Sequence, residues 1–255
     1  MKKHILIITA VIMSMALNSC HISIDEDFFD GETIKGNGNV ITREYNISEF
    51  NELSCDLSAT VNFTVAEDYK CTVRVDENLL DYLDVKVSNG ELWLARAKEH
   101  KKVNLRATEF VFDVTAPSLK EINLVSSGDI NIISPLNEKK LEVGLVGSGN
   151  VDFKEEVNID HLELTVAGSG DINVEKGSIA ELEANVIGSG DIVSRAEVQD
   201  LDINVTGSGD VTAKANGTLD YYIIGSGDIR YYGDAKVNGK IAGSGSFNHI
   251  EVPSR

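Results

Sequence analysis

The chain has 255 residues and a formal net charge of −18 at neutral pH, and aromatic residues make up only 6% of it. A chain this acidic is repelled by phosphate backbones, which excludes nucleic acid as a partner. The length is sufficient for one elongated domain with a continuous apolar core.

The N-terminal segment predicts export from the cytoplasm. Lys2 and Lys3 precede an apolar stretch, which is the pattern of a signal peptide and is short for a membrane span. The sequence Leu17-Asn18-Ser19-Cys20 resembles the lipobox of bacterial lipoproteins, which implies cleavage before Cys20 and lipidation of its thiol. We therefore predict a signal peptide over residues 1–19 and a membrane anchor at Cys20. The alternative is an ordinary secretory peptide that is cleaved at another position.

Residues 20–39 are polar, acidic and glycine-bearing, which predicts a solvated tether. An acidic cluster directly after a lipidated cysteine also resembles the signal that exports some Gram-negative lipoproteins to the cell surface. Both interpretations remain open. Either one predicts a protein of the cell envelope, held at the outer membrane and exposed at the surface if the export signal is real.

Residues 40–120 are predicted to form a β-rich region without repeats. Runs of alternating apolar residues, as at 61–65 and 110–114, indicate strands. Asn89 and Gly90 lie between two further alternating runs, which is the strongest short signal of a β-hairpin. We expect this region to cap or continue the structure that follows, because an open sheet edge invites aggregation.

Residues 121–252 carry seven versions of one glycine pentapeptide, which reads Gly168-Ser169-Gly170-Asp171-Ile172 in its third copy. The second glycines of the copies follow one another at spacings of 18 to 21 residues, at Gly128, Gly149, Gly170, Gly190, Gly209, Gly227 and Gly245. A repeat of this length is typical of a solenoid, in which one unit cannot bury its apolar face alone.

Each repeat predicts one coil. Apolar residues alternate up to the pentapeptide and beyond it without a slip, so both glycines belong to the inward-facing set. Glycines on an inward face indicate a corner that has no room for side chains. A second corner is indicated where Ile159 precedes Leu162 by three residues. The fold class is therefore all-β: a parallel β-helix-like solenoid of about seven coils, preceded by the non-repetitive region and its hairpin.

The sequence resembles a known family, the auto-transporter adhesins with a head GIN domain. The resemblance rests on the glycine pentapeptides, the element Phe50-Asn51-Glu52-Leu53, the hairpin sequence over residues 89–94 and the segment Phe112–Leu119. It covers residues 40–250. It implies a β-helix-like fold at the cell surface or in the periplasm, and it implies no enzyme activity.

The row of outward side chains after the second glycines is the sharpest candidate site: Asp129, Asn150, Asp171, Asp191, Asp210 and Asp228. Equivalent positions in a stacked solenoid lie about 4.8 Å apart, where two carboxylates repel by roughly 1 kcal/mol in water. In the structural interpretation each side chain accepts hydrogen bonds from backbone N–H groups of its own corner. The alternative is a calcium ladder, but the nonapeptide pattern of calcium-binding β-rolls is missing. We predict a structural role and no metal.

Three aromatic residues are candidates for ligand contact. The alternation predicts that Tyr222 and Tyr232 point outward and lie close together, where they could stack on a sugar ring, or else are ordinary surface tyrosines. Trp93 is expected to point outward between Leu92 and Leu94, either under the tether or as part of a contact surface.

No catalytic site is predicted. The five histidines are scattered over positions that are not equivalent in the repeat, and a Gly-Ser-Gly sequence is not a nucleophile elbow. Cys55 and Cys71 are either two buried thiols or a disulfide, which the compartment would permit. We predict an envelope protein without a cofactor that binds a glycan or a protein in an adhesin-like role. The alternatives are a structural lipoprotein that acts as a scaffold for another protein, and a carbohydrate-processing β-helix enzyme.

Overall fold

The computed structural model describes residues 32–100 and 102–251. Strands account for 69% of the chain and helices for 4%, so the fold is built almost entirely from β-structure. Its parallel strands stack into a β-solenoid of about six turns, which confirms the predicted fold class.

The described residues form nineteen strands and two short 3-10 helices, at Glu77–Tyr82 and Lys98–His100. In chain order the strands are β1 (Thr33–Lys35), β2 (Val40–Tyr45), β3 (Glu52–Cys55), β4 (Thr60–Val65), β5 (Lys70–Asp76), β6 (Leu83–Ser88), β7 (Glu91–Arg96), β8 (Asn104–Arg106), β9 (Phe110–Ala116), β10 (Glu121–Leu124), β11 (Asp129–Ile132), β12 (Leu136–Gly147), β13 (Asn150–Gly168), β14 (Asp171–Gly188), β15 (Ile192–Gly207), β16 (Val211–Gly225), β17 (Ile229–Tyr232), β18 (Lys236–Gly243) and β19 (Phe247–His249).

The glycine pentapeptides are stacked neighbours. Strands β12 to β16 each run through most of a turn and pair in parallel with the strands before and after them. In this register the first glycines of successive pentapeptides lie directly over one another, at Gly147, Gly168, Gly188, Gly207, Gly225 and Gly243. The expected corner is therefore confirmed as one vertical row of glycines.

Glycine is required at this corner for two different reasons. From the second copy onward, the first glycine of each pentapeptide has a strongly positive φ, such as 143° at Gly168. Residues that carry a side chain rarely adopt this backbone conformation. The second glycine is buried, and a Cβ at Gly170 would overlap the carbonyl oxygen of Gly149 in the previous coil. The obstacle is thus the backbone of the neighbouring coil along the stack, in addition to the crowded interior that the alternation predicted.

The second corner also lies where the apolar period breaks. Val157, Ile159 and Leu162 are all buried, so the three-residue offset brings each of them to the inside. Gly177 pairs with Val157 and has a φ of 132°. The chain therefore turns here with a glycine in one coil and a buried valine in the coil before it.

The interior is a continuous apolar core of stacked Val, Ile and Leu side chains. At the C-terminal end aromatic rings replace them. The ring of Phe247 stacks on Tyr221 with a centroid distance of 4.0 Å, and Tyr231 lies between Phe247 and His249 at 5.0 and 4.6 Å. Stacked aromatic rings therefore close this end of the core, beyond which the described chain adds no further strand.

The non-repetitive region both continues and caps the solenoid. Strands β3 and β4 pair in parallel with β10 and β11, and on their other side with β7 and β9. These two layers are additional parallel coils. The cap consists of antiparallel strands: β6 pairs with β7 through the expected Asn89-Gly90 hairpin, and β5 joins β9 to β2.

Part of the predicted tether belongs to the folded head. Strand β1 pairs in parallel with β8, and the Gly38 backbone N–H donates to the carboxylate of Asp76 at 2.7 Å. Asp76 is fully buried and also accepts from the backbone N–H and hydroxyl of Thr108. These donors lower the pKa of Asp76. Residues 33–39 were expected in the tether because their glycines and polar side chains resemble a linker.

The two remaining cysteines are free thiols. Cys55 and Cys71 are both buried, in β3 and β5, and burial raises the pKa of each thiol to about 12. The alternative of a disulfide between them is therefore wrong. The predicted signal peptide and the predicted lipidation site Cys20 lie outside the described residues. Within residues 32–100 and 102–251, no helix has the length and hydropathy that a bilayer crossing requires.

We expect Gly170→Ala to lower the free energy of unfolding by about 2–3 kcal/mol or to prevent folding, because the added methyl group would overlap the Gly149 carbonyl oxygen. Ser169→Ala, at an exposed neighbouring position, is the control and should change it by less than about 0.5 kcal/mol. Urea unfolding followed by circular dichroism measures both values. Equal stability of the two variants would contradict the close stacking of the coils.

Candidate binding face

One outer face of the solenoid carries three parallel columns of side chains. Alternation directs Glu142, Gly144 and Val146 of β12 to the outside, while Leu141, Val143 and Leu145 between them are buried. Because the coils stack in register, each outward position is repeated one coil further along. We call the resulting rows the acidic column, the middle column and the apolar column.

The acidic column is an unbroken row of carboxylates. Every member pairs in register with the next, in the order Glu91, Glu52, Glu121, Glu142, Glu163, Glu183, Asp202 and Asp220. The row ends at Asn238, whose side-chain amide donates to Asp220 at 2.7 Å. Like charges placed directly opposite on neighbouring strands are destabilising. The column is thus a costly arrangement that the fold maintains over eight coil positions.

The electrostatics of the column reflect this crowding. The pKa of Glu163 is raised, first by partial burial and then by the charges of Glu183 and Glu142. The pKa of Asp202 is raised in the same way by burial, Glu183 and Asp220, and that of Glu52 by burial, Glu121 and Glu91. Among the residues that the structure describes, the one ion pair within the column joins Lys140 to Glu142.

The middle column is lined mainly by small or amide side chains between two aromatic residues. Trp93 pairs with Ser54 at one end, Tyr222 pairs with Asn204 and Lys240 at the other, and the positions between them are Ser54, Asn123, Gly144, Thr165, Asn185 and Asn204. The amide groups donate to the acidic column, as Asn185 does to Glu183 at 3.1 Å. The column is therefore the low floor of the face.

The apolar column lies on the other side of this floor. Its paired members are Val146, Ala167, Ile187, Thr206, Ile224 and Ala242, and Val125 occupies the equivalent position one coil before Val146. The large members are exposed: Val125 by 49%, Val146 by 39%, Ile187 by 40% and Ile224 by 44%. Exposed apolar residues that follow one another along a surface indicate a contact site, whereas scattered ones do not.

The predicted ligand contacts divide into two groups. Trp93 and Tyr222 are each 40% exposed, as the alternation predicts, and the strand pairing places them in the same column. Tyr232 is 8% exposed, so its prediction as an outward ligand contact is wrong. Tyr232 is the last paired residue of β17 and precedes Gly233, which has a φ of 109°, so the chain turns at this point and the alternation no longer sets the direction of the side chain. Burial raises the pKa of Tyr232.

The corner aspartates form hydrogen bonds between coils. Asp171 accepts from the backbone N–H of Asp191 at 2.9 Å, and Asp191 and Asp210 accept in the same way from the next corner at 2.8 Å. Asp228 accepts from both the backbone N–H and the hydroxyl of Ser246. The donors were expected within the same corner, and that expectation is wrong because each corner N–H points along the stack.

Two features offset the repulsion between these corner carboxylates. Arg230 donates to Asp210 at 3.0 Å and to Asp228 at 3.3 Å, and Asn150 donates from its amide to Asp129 at 2.8 Å. The hydrogen bonds from Ser246 lower the pKa of Asp228. A calcium ladder would have to displace the backbone donors from these oxygens. Over the described part of the chain, no group of three or more His, Cys, Asp or Glu side chains is arranged to hold a metal ion.

Family comparison identifies this architecture. The family model described as "Putative auto-transporter adhesin, head GIN domain" matches residues 49–235. The chain belongs to this family. The match includes all eight members of the acidic column, Trp93 and Tyr222. No curated protein matches the chain significantly.

Solved structures of related proteins share the fold of this head GIN domain. A protein of Bacteroides fragilis described as a putative adhesin is 25% identical, with a TM-score of 0.79 over 85% of this chain and 100% of its own. A protein of Parabacteroides distasonis described as a putative lipid binding protein is 31% identical, with a TM-score of 0.75 over 86% and 100%. A putative adhesin of Parabacteroides merdae is 25% identical, with a TM-score of 0.73 over 86% and 99%.

Removing one charge from the acidic column and one from the row of corner aspartates should change the free energy of unfolding in opposite directions. Because the pKa of Glu163 is raised on folding, we expect Glu163→Gln to increase the free energy of unfolding at pH 7. The gain should decline as the pH falls through the raised pKa and disappear below about pH 3, where Glu163 is protonated in the folded and unfolded chains alike.

Asp228→Asn is the matched comparison, because the pKa of Asp228 is lowered on folding. Its charged form stabilises the fold above about pH 4, and this contribution is lost as the pH falls through the lowered pKa. We therefore expect this variant to be less stable than the native chain at pH 7. Urea unfolding at a series of pH values measures both differences, and a shared sign at pH 7 would contradict the assigned electrostatics.

Proposed function

We propose that this protein is a non-catalytic, adhesin-like binding protein of the cell envelope, and that it binds through the face formed by the three columns. The observation that carries the proposal is the exposed apolar column beside a floor bounded by Trp93 and Tyr222. Such a face leaves apolar and aromatic surface in water without contributing to the core, which is typical of a surface that is covered by a ligand. The family description supports an adhesin-like role.

The anchor at Cys20 is the second part of the proposal. A lipidated cysteine would hold the head at a membrane by its N-terminal side, through the residues that precede β1. The lipobox-like sequence before Cys20 supports this arrangement. The face formed by the three columns would then lie away from the bilayer and remain accessible to soluble or surface-bound partners.

An envelope scaffold is the second candidate function, and the apolar column favours it. A scaffold would use the same exposed valines and isoleucines to bind another envelope protein permanently, rather than an external ligand. Permanent interfaces are larger and more apolar than transient ones. The acidic column beside these residues therefore favours the reversible, adhesin-like contact over the scaffold.

The binding role is tested with arrays of glycans and of purified extracellular proteins. We expect the native chain to bind at least one array member, and Trp93→Ala combined with Tyr222→Ala to weaken that binding at least tenfold. Ile133→Ala changes an exposed apolar residue outside the apolar column and should leave binding within twofold. Loss of binding in the Ile133 variant alone, or binding that neither change affects, would place the ligand on another surface.

The anchor is tested by Cys20→Ala. We expect the native protein to sediment with membranes and to incorporate a labelled fatty acid in bacterial cells, and the variant to do neither. The head would still fold, since Cys20 precedes every described strand. Equal membrane association of both chains would show that another feature retains the protein.

A further inference from the structure

We propose that the partner of this face is a basic amphipathic α-helix, which lies along the solenoid axis between the acidic and apolar columns. The inference rests on the proposed function and names the class of its ligand. Its lysine or arginine side chains would contact the acidic column, and its apolar side chains would contact the apolar column. The middle column would be the floor under the helix.

Charge is the first argument for this occupant. The eight carboxylates of the acidic column have one lysine partner, Lys140, among the residues that the structure describes. Members of the column pair in register with carboxylates on both sides, and the pKa values of Glu52, Glu163 and Asp202 are raised first by burial and then by these neighbouring carboxylates. A row of cations on the partner would offset the repulsion between neighbouring carboxylates, so binding of a basic partner would be electrostatically favourable.

Dimensions are the second argument. The acidic and apolar positions of one strand are four residues apart, as in Glu142 and Val146, which corresponds to about 13 Å along the strand. An α-helix with its side chains is about 10–12 Å wide, so it fits between the columns. Its pitch of about 5.4 Å is also close to the coil spacing of about 4.8 Å, so that residues one turn apart meet successive coils.

The floor permits a close approach along its whole length. From Trp93 to Tyr222 the middle column takes seven register steps, or about 34 Å, which is the length of about 22 helical residues. Its central position is Gly144, and no side chain between the two aromatic residues is larger than asparagine. The two rings would therefore contact the ends of the helix.

Other occupants fit the face less well. A membrane surface with anionic lipids is repelled by the acidic column. A second copy of this chain, stacked face to face, would place its acidic column either on the acidic column or on the apolar column. The first arrangement adds like charges, and the second buries carboxylates without partners. A basic helix is the occupant that satisfies both columns at once.

The probe for the experiment is a 22-residue peptide of lysine and leucine, with leucine at helical spacing. Binding is measured by fluorescence anisotropy against the full chain, in non-ionic detergent below its micelle concentration. The comparison peptides are a scrambled sequence of the same composition and a version with glutamate in place of lysine. Circular dichroism of the mixture reports whether the bound peptide becomes helical.

The main variant combines Glu163→Gln, Glu183→Gln and Asp202→Asn. We expect it to weaken binding of the helical probe at least tenfold. The matched control removes the same number of charges at exposed positions outside the column, with Glu67→Gln, Asp81→Asn and Glu156→Gln, and should stay within twofold. Ile187→Ser should weaken binding at least threefold, whereas Ile133→Ser should not.

Four results would overturn the inference. Equal weakening by the column and control variants would mean that the peptide responds to net charge alone. Equal binding of the helical and scrambled peptides would mean that no helix is recognised. Weaker binding in the acidic-column variant but unchanged binding in Ile187→Ser would mean that the apolar face of a helix is not recognised. Absence of peptide binding, together with an array ligand that depends on Trp93 and Tyr222, would reject the helix and leave the adhesin-like function in place.

Discussion

The structure depends on how closely one coil can approach the next at the glycine corner. Neighbouring strands in a sheet lie about 4.8 Å apart, with their side chains directed away from the plane of the sheet. At this corner the carbonyl oxygen of one glycine fills the place that a side chain of the next coil would need. Among the glycine repeats the corner therefore fixes the register of successive coils, because a slip by one residue would bring a side chain into that space. Every other regularity of the molecule follows from this fixed register.

Fixed register turns a small preference at one position into a feature of the whole surface. A single exposed glutamate has little effect on a protein, but the same choice in eight successive coils produces a continuous negative row. The same holds for the exposed valines and isoleucines, and for the corner aspartates whose hydrogen bonds connect one coil to the next. The corner aspartates and the acidic column differ in how their charges are compensated. The corner carboxylates accept hydrogen bonds from backbone N–H groups and from Arg230, whereas most carboxylates of the acidic column form no ion pair among the described residues.

Much of the fold could be predicted from the sequence, because glycine spacing and alternation are local signals. The stacking of the pentapeptides, the hairpin at Asn89-Gly90 and the exposure of Trp93 all follow from these signals. The direction of Tyr232 could not be predicted in this way, since alternation holds only while the chain stays extended. The order of the N-terminal coils could not be predicted either, because β3 and β7 carry no repeat that marks them as neighbours.

The acidic column was missed although a signal for it exists. When the repeats are aligned on their second glycine, the residue seven positions earlier is acidic in six of the seven copies, at Glu121, Glu142, Glu163, Glu183, Asp202 and Asp220. The residue three positions before that glycine is apolar in six copies and threonine in the other. Inspection of the pentapeptide alone overlooks these positions. Glu52 and Glu91 lie outside the repeats, so only the three-dimensional pairing reveals them.

The chain does not pass through the N-terminal coils in their spatial order. The number of coils is therefore fixed in the N-terminal region but can vary among the glycine repeats. The chain leaves β9 in the outermost parallel layer, passes the layer of β3 and β4, and enters β10 beyond it. Both layers that pair with β3 and β4 come later in the chain than β3 and β4 themselves. Each coil of the glycine repeats, in contrast, pairs with the coil that directly precedes it in the sequence. Duplication or loss of one whole coil is therefore compatible with the fold among the glycine repeats alone, and such events would lengthen or shorten the face formed by the three columns by one coil at a time.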